Sequence, residues 1–447
     1  MEAMRILLRD FILLTPKPEA GIELKQGSLI LSGGYIERIS GNQAEFDISS
    51  FDKVFDGEGR KLLLPGFVNA HTHLAMVLFR GYADDLPLDR WLKEAIWPAE
   101  RHLTAEEVYW ASLLGLAEMI RSGTTAFADM YFFMDEVARA VEQSGLRALL
   151  AYGIIAPDPS DKERIKTELE RTEEFLARWH DAAEGRIRVA LGPHAPYTCA
   201  PALWERVISL AQEKDLIVHT HLAETASEVA EFKDKQGKTP VEYLKELGVF
   251  KVPTLAAHCV HLNADDIRIL AEYNANVSVV HNPTSNMKLG SGIAPVVEML
   301  KQGVNVALGT DGAASNNNLD MLEELRLAAL LQKVKGDPTA LPAAEAFRLA
   351  TVNGARALGL REVGIIEEGK EADLVILNLD RTHLVPDYDL VSNLVYSASA
   401  CDIETVIVRG RPVMEDGQIT AFDEAKARAR VRELSVKYKN LRLGERE

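Results

Sequence analysis

Between residues 62 and 312 there are eight short apolar runs, and from the second onward they recur every 20 to 40 residues. They cover 62–70, 124–130, 147–155, 186–194, 217–221, 253–259, 276–281 and 305–310. The gaps carry helical periodicity. In 105–121 the apolar residues Val108, Leu113, Leu116, Ala117 and Ile120 fall on one helical face, and 201–213 and 293–302 read the same way. Strand alternating with helix eight times is the pattern of an α/β (β/α)8 TIM barrel. A doubly wound open sheet is the competing architecture. No Gly-x-Gly-x-x-Gly follows an early run, which disfavours a dinucleotide fold.

The ends of the chain differ from its middle. Short alternating segments bounded by Gly and Asp occupy 27–31, 33–39 and 54–57, and again 364–369, 372–377, 406–410 and 413–417. We expect both termini to fold into one small β-sandwich beside the barrel. The expected division is 1–61 and 364–420 for the sandwich, 62–363 for a metal-dependent barrel, and 421–447 for a charged helical tail with a solvated face. A chain of 447 residues has room for both units. Its net charge of −17 argues against a polyanionic partner such as DNA. Three scattered cysteines make neither a disulfide framework nor a Cys-rich zinc site, and they suit a reducing compartment. Arg9 and Asp10 interrupt the apolar N-terminal stretch, and no run is long enough to span a membrane. A cytoplasmic enzyme with no membrane partner is expected.

In a (β/α)8 barrel the active site lies at the C-terminal ends of the strands. Of the 11 histidines, His71, His73, His194, His219, His221, His258, His261 and His281 lie in or just after a run's end. Two histidines one residue apart point to the same face of a strand, and neutral imidazole is a common metal ligand. His71 and His73 form such a pair, and so do His219 and His221. Of the second pair, His221 is nearer the mouth and is the better ligand. His219 sits deeper, as a core residue or behind the ligands. Thr310-Asp311-Gly312 alone reads as a turn, but after an apolar run it supplies an acid. His71, His73, His221 and Asp311 would then make a mononuclear site with room for a water. The fourth run has no lysine to bridge a second metal, so one ion is expected. Zinc suits the donors, and such a site can also take iron. Zinc lowers the pKa of its water to about 7. Glu224, three residues past His221, would shuttle protons, although it also reads as a solvent-facing acid at a helix start. His258 would orient the nucleophile, and Asp311 would accept its proton.

Pro65-Gly66-Phe67-Val68-Asn69-Ala70-His71-Thr72-His73, His219-Thr220-His221-Leu222-Ala223-Glu224, Ala257-His258-Cys259-Val260-His261 and the segment 309–317 together resemble the amidohydrolase superfamily, in its deaminase and chlorohydrolase branch. More narrowly, residues 60–375 resemble the 5′-methylthioadenosine/S-adenosylhomocysteine deaminases. Those enzymes hydrolyse the 6-amino group of an adenine nucleoside to the inosine analogue and ammonia. The resemblance implies the barrel, the sandwich and zinc. It also implies substrate contacts: Glu100 to the ribose hydroxyls, His194 and Ser315 in the pocket, and Arg164 facing an amino-acid tail, with Glu224 and Asp311 touching the reacting end. Read from its own segment, Arg164 is a solvated helix residue. Tyr152 stands where some members carry a second arginine. Two guanidiniums would clamp a carboxylate, so its absence predicts a shift toward uncharged 5′ groups: methylthioadenosine, 5′-deoxyadenosine or adenosine. A deaminase or chlorohydrolase acting on guanine or a triazine would share the metal set. Guanine deaminases usually carry Arg-Phe where this chain has Pro193-His194-Ala195-Pro196-Tyr197. A non-catalytic scaffold would be expected to lose metal ligands. The expected partner is a small-molecule nucleoside, and a homo-oligomer is expected.

Overall fold

The computed structural model describes residues 4–17, 21–41 and 44–444; residues 445–447 of the expected tail and 1–3 of the N-terminal stretch lie outside it. The first five strands are β1 (Arg5–Pro16), β2 (Ile22–Ser32), β3 (Tyr35–Ser40), β4 (Lys53–Asp56) and β5 (Lys61–Pro65). The barrel strands follow as β6 (Phe67–Thr72), β7 (Thr124–Tyr131), β8 (Arg147–Ile154), β9 (Ile187–Pro193), β10 (Val218–Leu222), β11 (Thr254–His258), β12 (Val277–His281) and β13 (Asn305–Leu308). The chain closes with β14 (Leu374–Asn378), β15 (Ile403–Val408), β16 (Arg411–Glu415) and β17 (Gln418–Ile419).

The run 62–70, expected as one strand, is two. Proline cannot donate to a ladder, and Pro65-Gly66 marks the point where the chain leaves one sheet for the other. A Cβ on Gly66 would lie 2.2 Å from the Thr125 side chain, so the crossing has room only for glycine. The terminal sheet therefore reaches Pro65, and the barrel begins at Phe67.

The eight barrel strands pair in parallel and in sequence order from β6 to β13. The barrel is drawn closed where the Asp311 N–H donates to the His71 carbonyl and the Thr310 N–H to Asn69 Oδ1, each at 3.0 Å. The expected helices appear as Ala105–Arg121, Pro201–Lys214 and Val296–Lys301. The last is shorter than expected because Pro295 stands at its N-terminal cap.

The two termini share one nine-stranded sheet, in the order β17-β16-β15-β14-β5-β1-β2-β3 with β4 beside β1. Strand periodicity explains its place. In β5, Leu62 and Leu64 pack with the barrel core, while Leu63 joins Ile6, Leu8, Leu29 and Ile376 in a separate core. Arg147, at the start of β8, ties the units together by donating to Asp373 at 2.7 and 3.1 Å.

The C-terminal helix Glu424–Gly444 is docked rather than solvated. Ala427, Val431 and Tyr438 form a narrow buried stripe among its charges. Tyr438 packs edge-on against Phe79 at 5.0 Å and donates to Glu107 at 3.0 Å. No helix among the described residues is long and apolar enough to cross a membrane.

Candidate active site

A cavity opens at the C-terminal ends of the barrel strands. His73, His194, His221, His258, Glu100, Glu224, Asp311 and Ser315 all line it. Two expected residues are not in the lining: His71, fully buried beneath the floor, and Arg164, which is exposed on the helix Lys162–Trp179. Tyr152 lies outside the lining as well. Its hydroxyl accepts the Phe133 N–H at 3.1 Å, and its ring packs on Phe175.

At the floor, His71 Nε2 lies 3.5 Å and His73 Nε2 3.3 Å from Asp311 Oδ1, and His73 Nε2 lies 3.2 Å from His221 Nε2. Donors about 2.0–2.1 Å from a common tetrahedral centre stand about 3.3 Å apart. The other ring nitrogens are committed. His73 Nδ1 donates to the Met130 carbonyl at 2.6 Å, and His221 Nδ1 to the His194 carbonyl at 2.8 Å. A carbonyl only accepts, so these contacts put the proton on Nδ1 and leave an Nε2 lone pair facing inward. His71 Nδ1 is held by His219 Nε2 at 2.8 Å, while buried His71 Nε2 has no hydrogen-bond partner. The deeper histidine of the second pair thus stands behind a ligand. Burial pushes the His71 imidazole down to about 4 and His221 well below its ordinary value, which favours the neutral form that metals need. The donor set fits a divalent metal.

Asp311 takes a left-handed backbone, φ 61°, which short acidic residues tolerate. Its Oδ2 accepts from Ser285 at 2.6 Å and Ser315 at 2.8 Å. Burial raises its carboxyl, but the imidazoles of His71, His73 and His258 around it outweigh that and hold it well below the carboxylate range. His258 also has positive φ, 73°, strained for a bulky residue and typical of functional positions. Its Nδ1 lies 2.9 Å from Asn286 Oδ1, which leaves Nε2 facing Glu224 Oε2 at 3.8 Å.

Glu224 is 7% exposed. Burial, with the Asp311 charge adding, pushes its carboxyl up to about 8, so it holds a proton at neutral pH. Glu100, also in the lining, accepts from the Tyr131 hydroxyl at 2.7 Å. Burial raises it to about 7 against that hydrogen bond and the influence of the nearby His73 imidazole. Burial also lowers His194, to about 3, and its Nδ1 meets Thr198 Oγ1 at 3.1 Å. Sequence reasoning missed Tyr131, Ser285 and Asn286. Only Tyr131 left a signal, one residue past the end of the second apolar run.

Residues 62–413 match the amidohydrolase family. The chain is 50% identical over 437 residues to a 5-methylthioadenosine/S-adenosylhomocysteine deaminase of Syntrophomonas wolfei, covering 97% of this chain and 99% of that protein. It is 52% identical over 402 residues to a 5′-deoxyadenosine deaminase of Methanothermobacter thermautotrophicus, covering 90% and 92%. A crystal structure of an adenosine deaminase from Xanthomonas campestris with bound zinc superposes with a TM-score of 0.90 at 37% identity, over 98% of this chain and 99% of that one.

Proposed function

The chain belongs to the amidohydrolase family, and from that premise we propose that it is a zinc-dependent hydrolytic deaminase of adenine nucleosides. Water replaces the 6-amino group, giving the inosine analogue and ammonia. The observation that carries this reading is the buried carboxyl of Glu224 in the cavity that His73, His221 and Asp311 line and that His71 backs from below. The curated relatives that act on adenine nucleosides support the substrate class.

One zinc ion held by those four residues would supply a water activated at neutral pH. Glu224 donates its proton to the ring nitrogen next to the attacked carbon, which makes that carbon more electrophilic. The attacking water gives a proton to Asp311 and a hydrogen bond to the His258 lone pair. The proton then passes from Asp311 to the leaving amine, the hydroxyl now on the attacked carbon returns its proton to Glu224 as the carbonyl forms, and ammonia departs. Glu100 accepts hydrogen bonds from the ribose hydroxyls, and His194 and Ser315 line the path of the base.

Trp91, Trp97, Leu88, Leu92, Ile96 and Leu289 form the apolar wall of the cavity, and among the described residues no lysine or arginine lines it. With Arg164 exposed and Tyr152 outside, a 5′ carboxylate would lose water without gaining a cation. Neutral 5′ groups are therefore preferred. The same reading expects one zinc per subunit in a cytoplasmic homo-oligomer.

The test is ammonia release from 5′-deoxyadenosine, methylthioadenosine, adenosine and S-adenosylhomocysteine, with metal analysis of the purified protein. No turnover of any adenine nucleoside defeats the main reading. A clear preference for S-adenosylhomocysteine defeats the 5′ selectivity alone.

A further inference from the structure

We propose that Tyr131 sets the enzyme's selectivity for the ribose diol, as the positioning residue that holds Glu100. This rests on the reading above, in which Glu100 takes the ribose hydroxyls. Three consecutive residues at the end of β7 each hold a part of the site. Asp129 Oδ1 accepts the Thr72 hydroxyl at 2.8 Å and the Leu74 N–H at 2.6 Å, on either side of His73. The Met130 carbonyl accepts from His73 Nδ1 at 2.6 Å. The Tyr131 hydroxyl donates to Glu100 Oε1 at 2.7 Å. One strand end therefore fixes both a metal-facing imidazole and the Glu100 carboxylate, and with them the span between the reacting base and the sugar.

Tyr131 is 4% exposed, and burial with the Glu100 charge keeps its phenol protonated, so toward the carboxylate it acts as a donor. Its bond occupies Oε1 and leaves the other oxygen for the cavity. Burial alone drives Glu100 toward its neutral form, and the Tyr131 hydrogen bond opposes that drive. An ionised carboxylate accepts from hydroxyls about twice as strongly as a neutral acceptor. Without the phenol, Glu100 loses its anchor and part of its charge, while the groups around the attacked carbon keep theirs.

The test compares adenosine with 2′,3′-dideoxyadenosine on zinc-loaded wild type, Tyr131→Phe, Glu100→Gln and the double variant. Wild type is expected to favour adenosine in kcat/KM by about 100-fold or more, since a site built for hydroxyls rejects an analogue lacking them. Tyr131→Phe is expected to cut that preference to about 10-fold or less, through a higher KM for adenosine with kcat and zinc content retained. In the Glu100→Gln background the same substitution is expected to change nothing further. An unchanged preference in Tyr131→Phe overturns the proposal, as does an equal loss for both substrates or a loss of zinc or folding. If wild type itself shows no preference, the ribose reading of Glu100 is what has failed.

Discussion

Replacing His219 with leucine isolates the contact behind the metal-facing His71. His71 Nδ1 meets His219 Nε2 at 2.8 Å, and both rings are fully buried. In a metal-free variant the His71 proton can move to Nε2, which lies 3.5 Å from Asp311 Oδ1. With a metal on Nε2 the proton must stay on Nδ1, where leucine offers it no acceptor. The cost therefore falls on metal binding. A buried unsatisfied donor costs about 1–3 kcal/mol. Loss of a partner behind a metal-bound histidine lowers affinity about 10–100-fold, or about 1.4–2.8 kcal/mol, and the two estimates overlap. Chelator competition for zinc is the assay. We expect His219→Leu to bind zinc about 10–100-fold more weakly and His219→Gln, which restores an acceptor, to recover most of the loss. Wild-type zinc affinity in His219→Leu would refute the reasoning.

Glu224→Gln should lower kcat by about 10²–10⁴-fold while zinc stays bound, as general acid–base catalysis requires; a variant retaining full kcat would remove Glu224 from the chemistry. Glu224 is pushed up to about 8, so its proton-bearing form is present below that pH and is lost above it, and kcat/KM should fall on the alkaline side of pH 8. Stripping the metal should abolish activity and lower the melting temperature. Zinc at about 100 times its Kd should restore both, contributing about 2.7 kcal/mol; a melting temperature that ignores zinc would contradict the donor set. Arg147→Met leaves Asp373, 2% exposed, without its paired cation, and should cost about 3–5 kcal/mol in denaturant titrations while the turnover of folded molecules stays intact.

Much of the site is local and therefore readable from the chain. The spacings of His71 with His73 and of His219 with His221 put each pair on one strand face. Strand ends are visible as the limits of apolar runs. The break at Pro65-Gly66 was also visible, as a residue that cannot continue a ladder, yet the unbroken hydrophobicity around it masked the change of sheet. The docking stripe of the C-terminal helix was too narrow to stand out among its charges. The family resemblance led us to expect Arg164 to face the substrate's tail, but it stands on an exposed helix face and does not line the cavity. Tyr131 and Glu100 lie 31 residues apart, and His71 and His219 lie 148 apart. No period in a sequence encodes such pairs, which exist only once strands and loops close around a common interior.

The chain by itself determined a parallel barrel and the side chains that stand at its strand ends, because the strand and helix periods are properties of neighbouring residues. Only the tertiary structure decided which nitrogen of each histidine faces the centre, and which carboxyl is protonated. Those follow from carbonyls supplied by other strands and from the exclusion of water. The same burial pushes Glu224 up to about 8 and His71 down to about 4.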